Sequence, residues 1–224
     1  MEGDCMSERQ DAYRIKLYQD EVARCVHRLF DEGHMATDKL ADVSVRDPES
    51  GIVVTSLKPG FIGVREPDDY HGTDMAVVDM DGNLVYDHVP PNDNIDMHLA
   101  IYKARPDVTA IIHAYPTYIG MFARAKKPLP VVFVEQCYTM PDMDIEGGAG
   151  FSNDVVTTDP SNTQEYYDEV IEKFHGSPFV MLHGNGCISV ADNVDNALNY
   201  LAWMEEVAQK IYRASLIGEV KFIG

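Results

Sequence analysis

The sequence predicts an α/β fold within one domain of 224 residues, and three observations carry that expectation. Apolar residues recur at helical spacing near both ends of the chain, two β-hairpin patterns follow the first helix, and mid-chain a helix feeds directly into a buried strand. With 45% hydrophobic and 25% charged positions, the composition suits one substantial core, and no repeat, low-complexity tract or linker divides 1–224.

Residues 1–12 read as a flexible lead-in. From Tyr13 to Gly33 the apolar residues Ile15, Tyr18, Val22, Val26, Leu29 and Phe30 mark an amphipathic helix, and Gly33 suits the position after it. The segments "DVSVRDPESGIVVT" and "MAVVDMDGNLVY" each give two β-rich runs around a turn, the second around Asp81-Gly82. Between them "SLKPGFIGVREPDDYHG" reads as an irregular loop. Asn92 or Asp93 can cap a helix from Ile95 to Ala104, which Arg105-Pro106 stops before a strand from Thr109 to His113. A short helix, a strand from Val131 to Glu135 and a polar loop follow, then a helix from Gln164 to Phe174. The strands "PFVML" and "CISVA" lead into a closing helix with Leu198, Leu201, Glu205, Ala208 and Tyr212 on one face.

Eighteen basic against 37 acidic side chains give a formal charge of −19, which repels a phosphate backbone and argues against a nucleic-acid partner. Arg46, Lys58 and Arg65 are the few cations available early in the chain to an anionic ligand. No apolar run approaches the ~18 residues of a membrane span, and the polar, acidic start is unlike a signal peptide, so a cytoplasmic location without a membrane partner is expected. Four scattered cysteines without a CxxC pair read as free thiols. Cys137 lies in an apolar neighbourhood that favours a structural role over a nucleophilic one.

The stretch "IIHAYPTY" ends the central strand on His113 and, two residues on, Tyr115. Side chains two apart on a strand share a face, so imidazole and phenol look into one space. By the same period His183, Asn185 and Cys187 would share a face if "HGNGC" is extended. Neither "EGGAG" nor any Gly-x-Ser-x-Gly pattern supplies a nucleotide loop or a nucleophile elbow.

Taken together, "TDMAVVDMDGNLVY", "PPNDNIDMHLAIYKARPDVTAIIHAYP" and "MLHGNGCISVADNVDNALNYLAWMEEVAQ" resemble the three hallmark segments of the class II aldolase/adducin family, over roughly residues 15 to 215. The resemblance implies a three-layer α/β/α sandwich with a mainly antiparallel central sheet, assembled as a homotetramer with active sites between subunits. It also implies a zinc ion held by three histidines with an acidic residue as ligand or base, which polarises a substrate carbonyl and stabilises an enediolate.

In this chain the framework is kept and the ligand set differs. Pro91 matches, the family's two serines become Asn92 and Asp93, the acidic residue becomes Asn94, and His98 and Tyr102 are retained. His113 takes the first place of His-x-His, Tyr115 the second, and Asn185 the third histidine. The phosphate-contacting Gly-Asn of the early segment falls near Ala41-Asp42, with Ser44 and Arg46 continuing the pattern. The resemblance therefore assigns His113, Tyr115 and Asn94 to catalysis and Ser44, Asn92, Asp93 and Asn185 to substrate binding, and Lys58 joins the binding set as a nearby cation that partly compensates. Zinc is expected absent or weakly held; if bound, it would sit on His113 and His183. The implied activity is an aldolase/epimerase-type lyase reaction on a small hydroxylated carbonyl compound, with weakened phosphate recognition. A non-catalytic, adducin-like binding or assembly protein is the alternative.

Overall fold

The structure is a computed structural model that describes residues 2–35, 41–56, 70–86, 89–130, 133, 155–174 and 177–221. Among the described residues eight strands form one sheet: β1 (Asp42–Arg46), β2 (Val53–Thr55), β3 (Ala76–Val78), β4 (Leu84–Tyr86), β5 (Ala110–Ala114), β6 (Val155–Val156), β7 (Phe179–Leu182) and β8 (Cys187–Ala191). Their order is β4-β3-β2-β1-β5-β8-β7-β6. All pairings are antiparallel except β6 with β7, so the sheet is mixed rather than wholly of one kind. Both expected hairpins form, β1 with β2 and β3 with β4. The expected strand from Val131 to Glu135, apart from Phe133, lies outside the described residues, as do Lys58, Arg65 and Cys137.

Alternation along the strands sorts the core into two layers. Val43, Val45, Ala110, Ile112 and Cys187 face helices α1 (Glu2–Asp31), α3 (Thr117–Arg124) and α5 (Val194–Ser215). Val53, Ile111, Ile188 and Val190 face α2 (Ile95–Ala104) and α4 (Gln164–Phe174) on the other side. Helical backbone begins at Glu2, inside the expected flexible lead-in, although the buried stripe starts only at Ile15 and continues through Val22, Val26 and Leu29. Tyr13 and Phe30, expected on that stripe, are exposed.

Local chemistry fixes the helix ends. Asn193 caps α5 by accepting the Asn196 N–H at 2.8 Å. Glu205, halfway along α5, accepts the Tyr118 and Ile119 N–H groups at 2.9 Å each, so its carboxylate closes the positive end of α3. Tyr212, expected on the inner face of α5, is 40% exposed, and Ile211 is buried instead. The cap of α2 is Asn94, one residue later than expected; Asn92 serves it by accepting the Asn94 N–H at 2.9 Å. Arg46 donates to the carbonyls of Tyr102, Pro106 and Val108, which commits this cation to the end of α2 rather than to a ligand.

Candidate functional site

The site lies on the sheet face that α2 covers. Asp42 on β1 and His113 on β5 are direct cross-strand partners, and Ser44 follows on the same face. His98 and Tyr102, one helical turn apart on α2, both reach Ser44: its hydroxyl lies 2.8 Å from His98 Nδ1 and 2.9 Å from the Tyr102 hydroxyl. Burial holds the His98 imidazole down at about 4, the neighbouring His113 adds to that and Asp42 opposes it, so His98 is neutral. Ser44 is fully buried with its hydroxyl engaged, so it anchors α2 instead of binding substrate. Asn92 is likewise structural: its amide donates to Thr55 Oγ1 at 2.6 Å, bracing β2 against the start of α2. Asp93 is exposed on the turn before that helix.

The residues from His183 to Gly186 form a tight turn between β7 and β8, not the extended run that period-two reasoning assumed. Leu182 N–H donates to the Gly186 carbonyl at 2.8 Å and Asn185 N–H to the Leu182 carbonyl at 3.0 Å. Gly184 and Gly186 have φ of +70° and +73°. A Cβ on Gly186 would stand 2.1 Å from the Ala114 carbonyl oxygen, so only glycine lets the turn lie against the end of β5. The turn sends His183 and Asn185 to different partners. His183 Nδ1 donates to the Ala123 carbonyl of α3 at 3.2 Å, whereas Asn185 meets His113 and Tyr115.

That meeting is the centre of the site. The Asn185 backbone carbonyl lies 2.7 Å from His113 Nε2, which must therefore carry a hydrogen. Tyr115 donates its hydroxyl to Asn185 Oδ1 at 3.2 Å, and the His113 and Tyr115 rings are 5.1 Å apart. Burial, reinforced by Asp42, raises the Tyr115 phenol far above its ordinary value, so it stays protonated. Asn185 and Asn94 then open onto a cleft of about 240 Å³, also bounded by Met97, Ser161, Asn162 and Tyr166. Burial pushes the Tyr166 phenol up to about 12, offset in part by the Asn185 carboxamide beside it, and its hydroxyl makes no well-formed hydrogen bond among the described residues.

Sequence reasoning placed Asp42 only near the family's phosphate-contacting Gly-Asn and did not foresee it inside the site. This carboxylate is 6% exposed, accepts a 2.6 Å hydrogen bond from Asn94 Nδ2 and lies 3.5 Å from His113 Nδ1. A strand-initial aspartate carries no local signal of burial; its pairing with His113 was the available clue.

The three positions implied to hold zinc thus present one imidazole, one protonated phenol and one carboxamide, already hydrogen-bonded to one another. This donor set does not fit a tetrahedral zinc ion, which favours imidazole and thiolate. Among the described residues no three His, Cys, Asp or Glu side chains gather as a ligand group.

Known proteins share this arrangement of elements. The family described as Class II Aldolase and Adducin N-terminal domain matches residues 20–212. The chain is 25% identical over 182 residues to 5-deoxy-D-ribulose 1-phosphate aldolase of Bacillus thuringiensis serovar kurstaki, covering 81% of this chain and 78% of that protein. It is 29% identical over 176 residues to a probable L-ribulose-5-phosphate 4-epimerase of Mycoplasma pneumoniae, covering 72% and 68%. A solved L-fuculose 1-phosphate aldolase superposes with a TM-score of 0.79 at 23% identity, covering 92% of this chain and 90% of that one, a likeness of fold.

Proposed function

Because the chain belongs to the class II aldolase and adducin family, we propose that it is an aldolase/epimerase-type lyase whose substrate is a small hydroxylated carbonyl compound: a sugar, a sugar phosphate or a related keto acid. The observation that carries this reading is the convergence of His113, Tyr115 and Asn185 beside the cleft that Asn94 and Asn185 line. A decayed site would fill with apolar side chains, whereas here each altered position still carries a hydrogen-bonding group. The relatives named for ribulose phosphates support a carbohydrate substrate.

In the cleavage direction a β-hydroxyl gives up its proton and its oxygen becomes an aldehyde carbonyl. The electron pair of the broken carbon–carbon bond passes into an enediolate, which is then protonated on carbon. The Asn94 and Asn185 carboxamides, which line the cleft, donate hydrogen bonds to the developing oxyanion, each worth about 2.7–4 kcal/mol when aimed at the transition state, and the Tyr115 hydroxyl, held protonated, orients Asn185 by donating to its Oδ1. His113, buried beside the cleft with Nε2 on the Asn185 carbonyl, holds Asn185 in place, and the proton lost from oxygen and the one gained at carbon are exchanged with water in the cleft.

The test is a panel of ketoses with and without a 1-phosphate, followed by aldehyde release, together with deuterium uptake at the hydroxymethyl carbon of dihydroxyacetone in D₂O. Cleavage or exchange above the uncatalysed rate is expected. Folded protein that performs neither with any member of the panel would overturn the reading.

A further inference from the structure

We propose that Asp42 and Asn94 are a transposed carboxylate–carboxamide pair, and that Asp42 is the positioning residue whose charge the chemistry of this site depends on. The inference rests on the enolate-forming activity proposed above. Its observations are geometric. The two side chains share one hydrogen bond, Asn94 Nδ2 to Asp42 Oδ2, at 2.6 Å, although they lie 52 residues apart. Asp42 is also the cross-strand partner of His113, and its Oδ2 is 3.5 Å from a ring nitrogen, Nδ1, that makes no hydrogen bond among the described residues.

Among the described residues no lysine or arginine pairs with Asp42. An almost wholly buried carboxylate without a cation is costly, and structure alone would be served as well by a second amide. The cost is intelligible if the charge is needed where it sits. Facing Asn94 and His113 together, Asp42 turns the carboxamide toward the cleft and stands beside the imidazole that the Asn185 carbonyl holds. The sequence carries the same message: the resemblance places an acid at position 94 and an amide near 42, and this chain has the reverse. The carboxylate has crossed to the other end of one hydrogen bond, from the helix cap to the strand.

The experiment compares the wild-type chain with Asp42→Asn, Asn94→Asp and the double variant that carries both. Two readouts are taken on each: the thermal midpoint, and kcat and KM for deuterium exchange into dihydroxyacetone. Asn94→Asp sets two carboxylates against each other and should lower the midpoint, and the double variant should recover most of that loss. Asp42→Asn should lower kcat on the order of 10²-fold or more with KM changed far less, and the double variant should regain at least about tenfold. A double variant no more stable than Asn94→Asp overturns the pairing, whether or not any substrate turns over. Unaltered kcat in Asp42→Asn overturns the role of the charge. If the midpoints behave as expected and the wild-type chain shows no exchange, the transposed pair stands, the role of its charge in chemistry is rejected, and the proposed activity fails separately.

Discussion

Tyr115 occupies a place where the resemblance implies a histidine, and its chemistry differs in kind. An imidazole lends a lone pair, whereas a phenol held protonated lends a hydrogen. Replacing it with phenylalanine should leave the fold within about 0.5–1.5 kcal/mol of wild type, the net worth of one hydrogen bond. Turnover should fall on the order of 10²-fold or more, because in the proposed mechanism the lost hydroxyl orients the Asn185 carboxamide that meets charge formed only in the transition state; steady-state kinetics beside urea unfolding separates the two. Metal is decided at the same scale. One imidazole with an amide and a phenol should hold less than stoichiometric zinc after mild chelation, read by elemental analysis. A full equivalent that survives both chelation and His183→Ala would show that the donors rearrange around the ion.

Between residue and fold, α2 carries a pH dependence. His98 is locked neutral beneath it at about 4, below the ordinary value near 6.5, so between these values the unfolded chain binds a proton that the folded chain refuses. Stability should therefore be full above about pH 6.5 and be lost as pH falls toward 4. His98→Gln, which keeps a polar partner for Ser44, should flatten urea-derived stability across that window by up to one proton; an unchanged slope would place the proton elsewhere. This helix was legible in the sequence because its signals are local: apolar spacing, and Arg105-Pro106 to end it. The hairpins were legible for the same reason. The site was harder to read. Ser44 and Asn92 look like ligand-binding residues until tertiary packing buries them, and no local pattern distinguishes a polar side chain facing a helix from one facing a cleft. The Gly-Asn-Gly of the turn at 184–186 did carry a signal, since glycines flanking an asparagine favour positive φ over an extended strand.

At the scale of the molecule, the charge of −19 bears on assembly. The expected homotetramer would gather four such chains, so light scattering should give four times 25.1 kDa at physiological ionic strength and smaller species as salt is withdrawn. The monomer mass at micromolar concentration under both conditions would count against a shared site. The central position of β5 has a consequence for how the molecule is made. Its two neighbours, β1 and β8, come from opposite ends of the chain, and the contacts that build the site join residues 52 to 72 positions apart. Such distant pairings close late, because loop entropy must be lost before they form. After dilution from denaturant, helical signal should return first and the ability to turn over substrate last, in step with the slowest refolding phase. Biologically, a nascent chain whose last strands have not been synthesised holds His113 without Asn185. Synthesis must pass Asn185 and β8 before this protein can do chemistry.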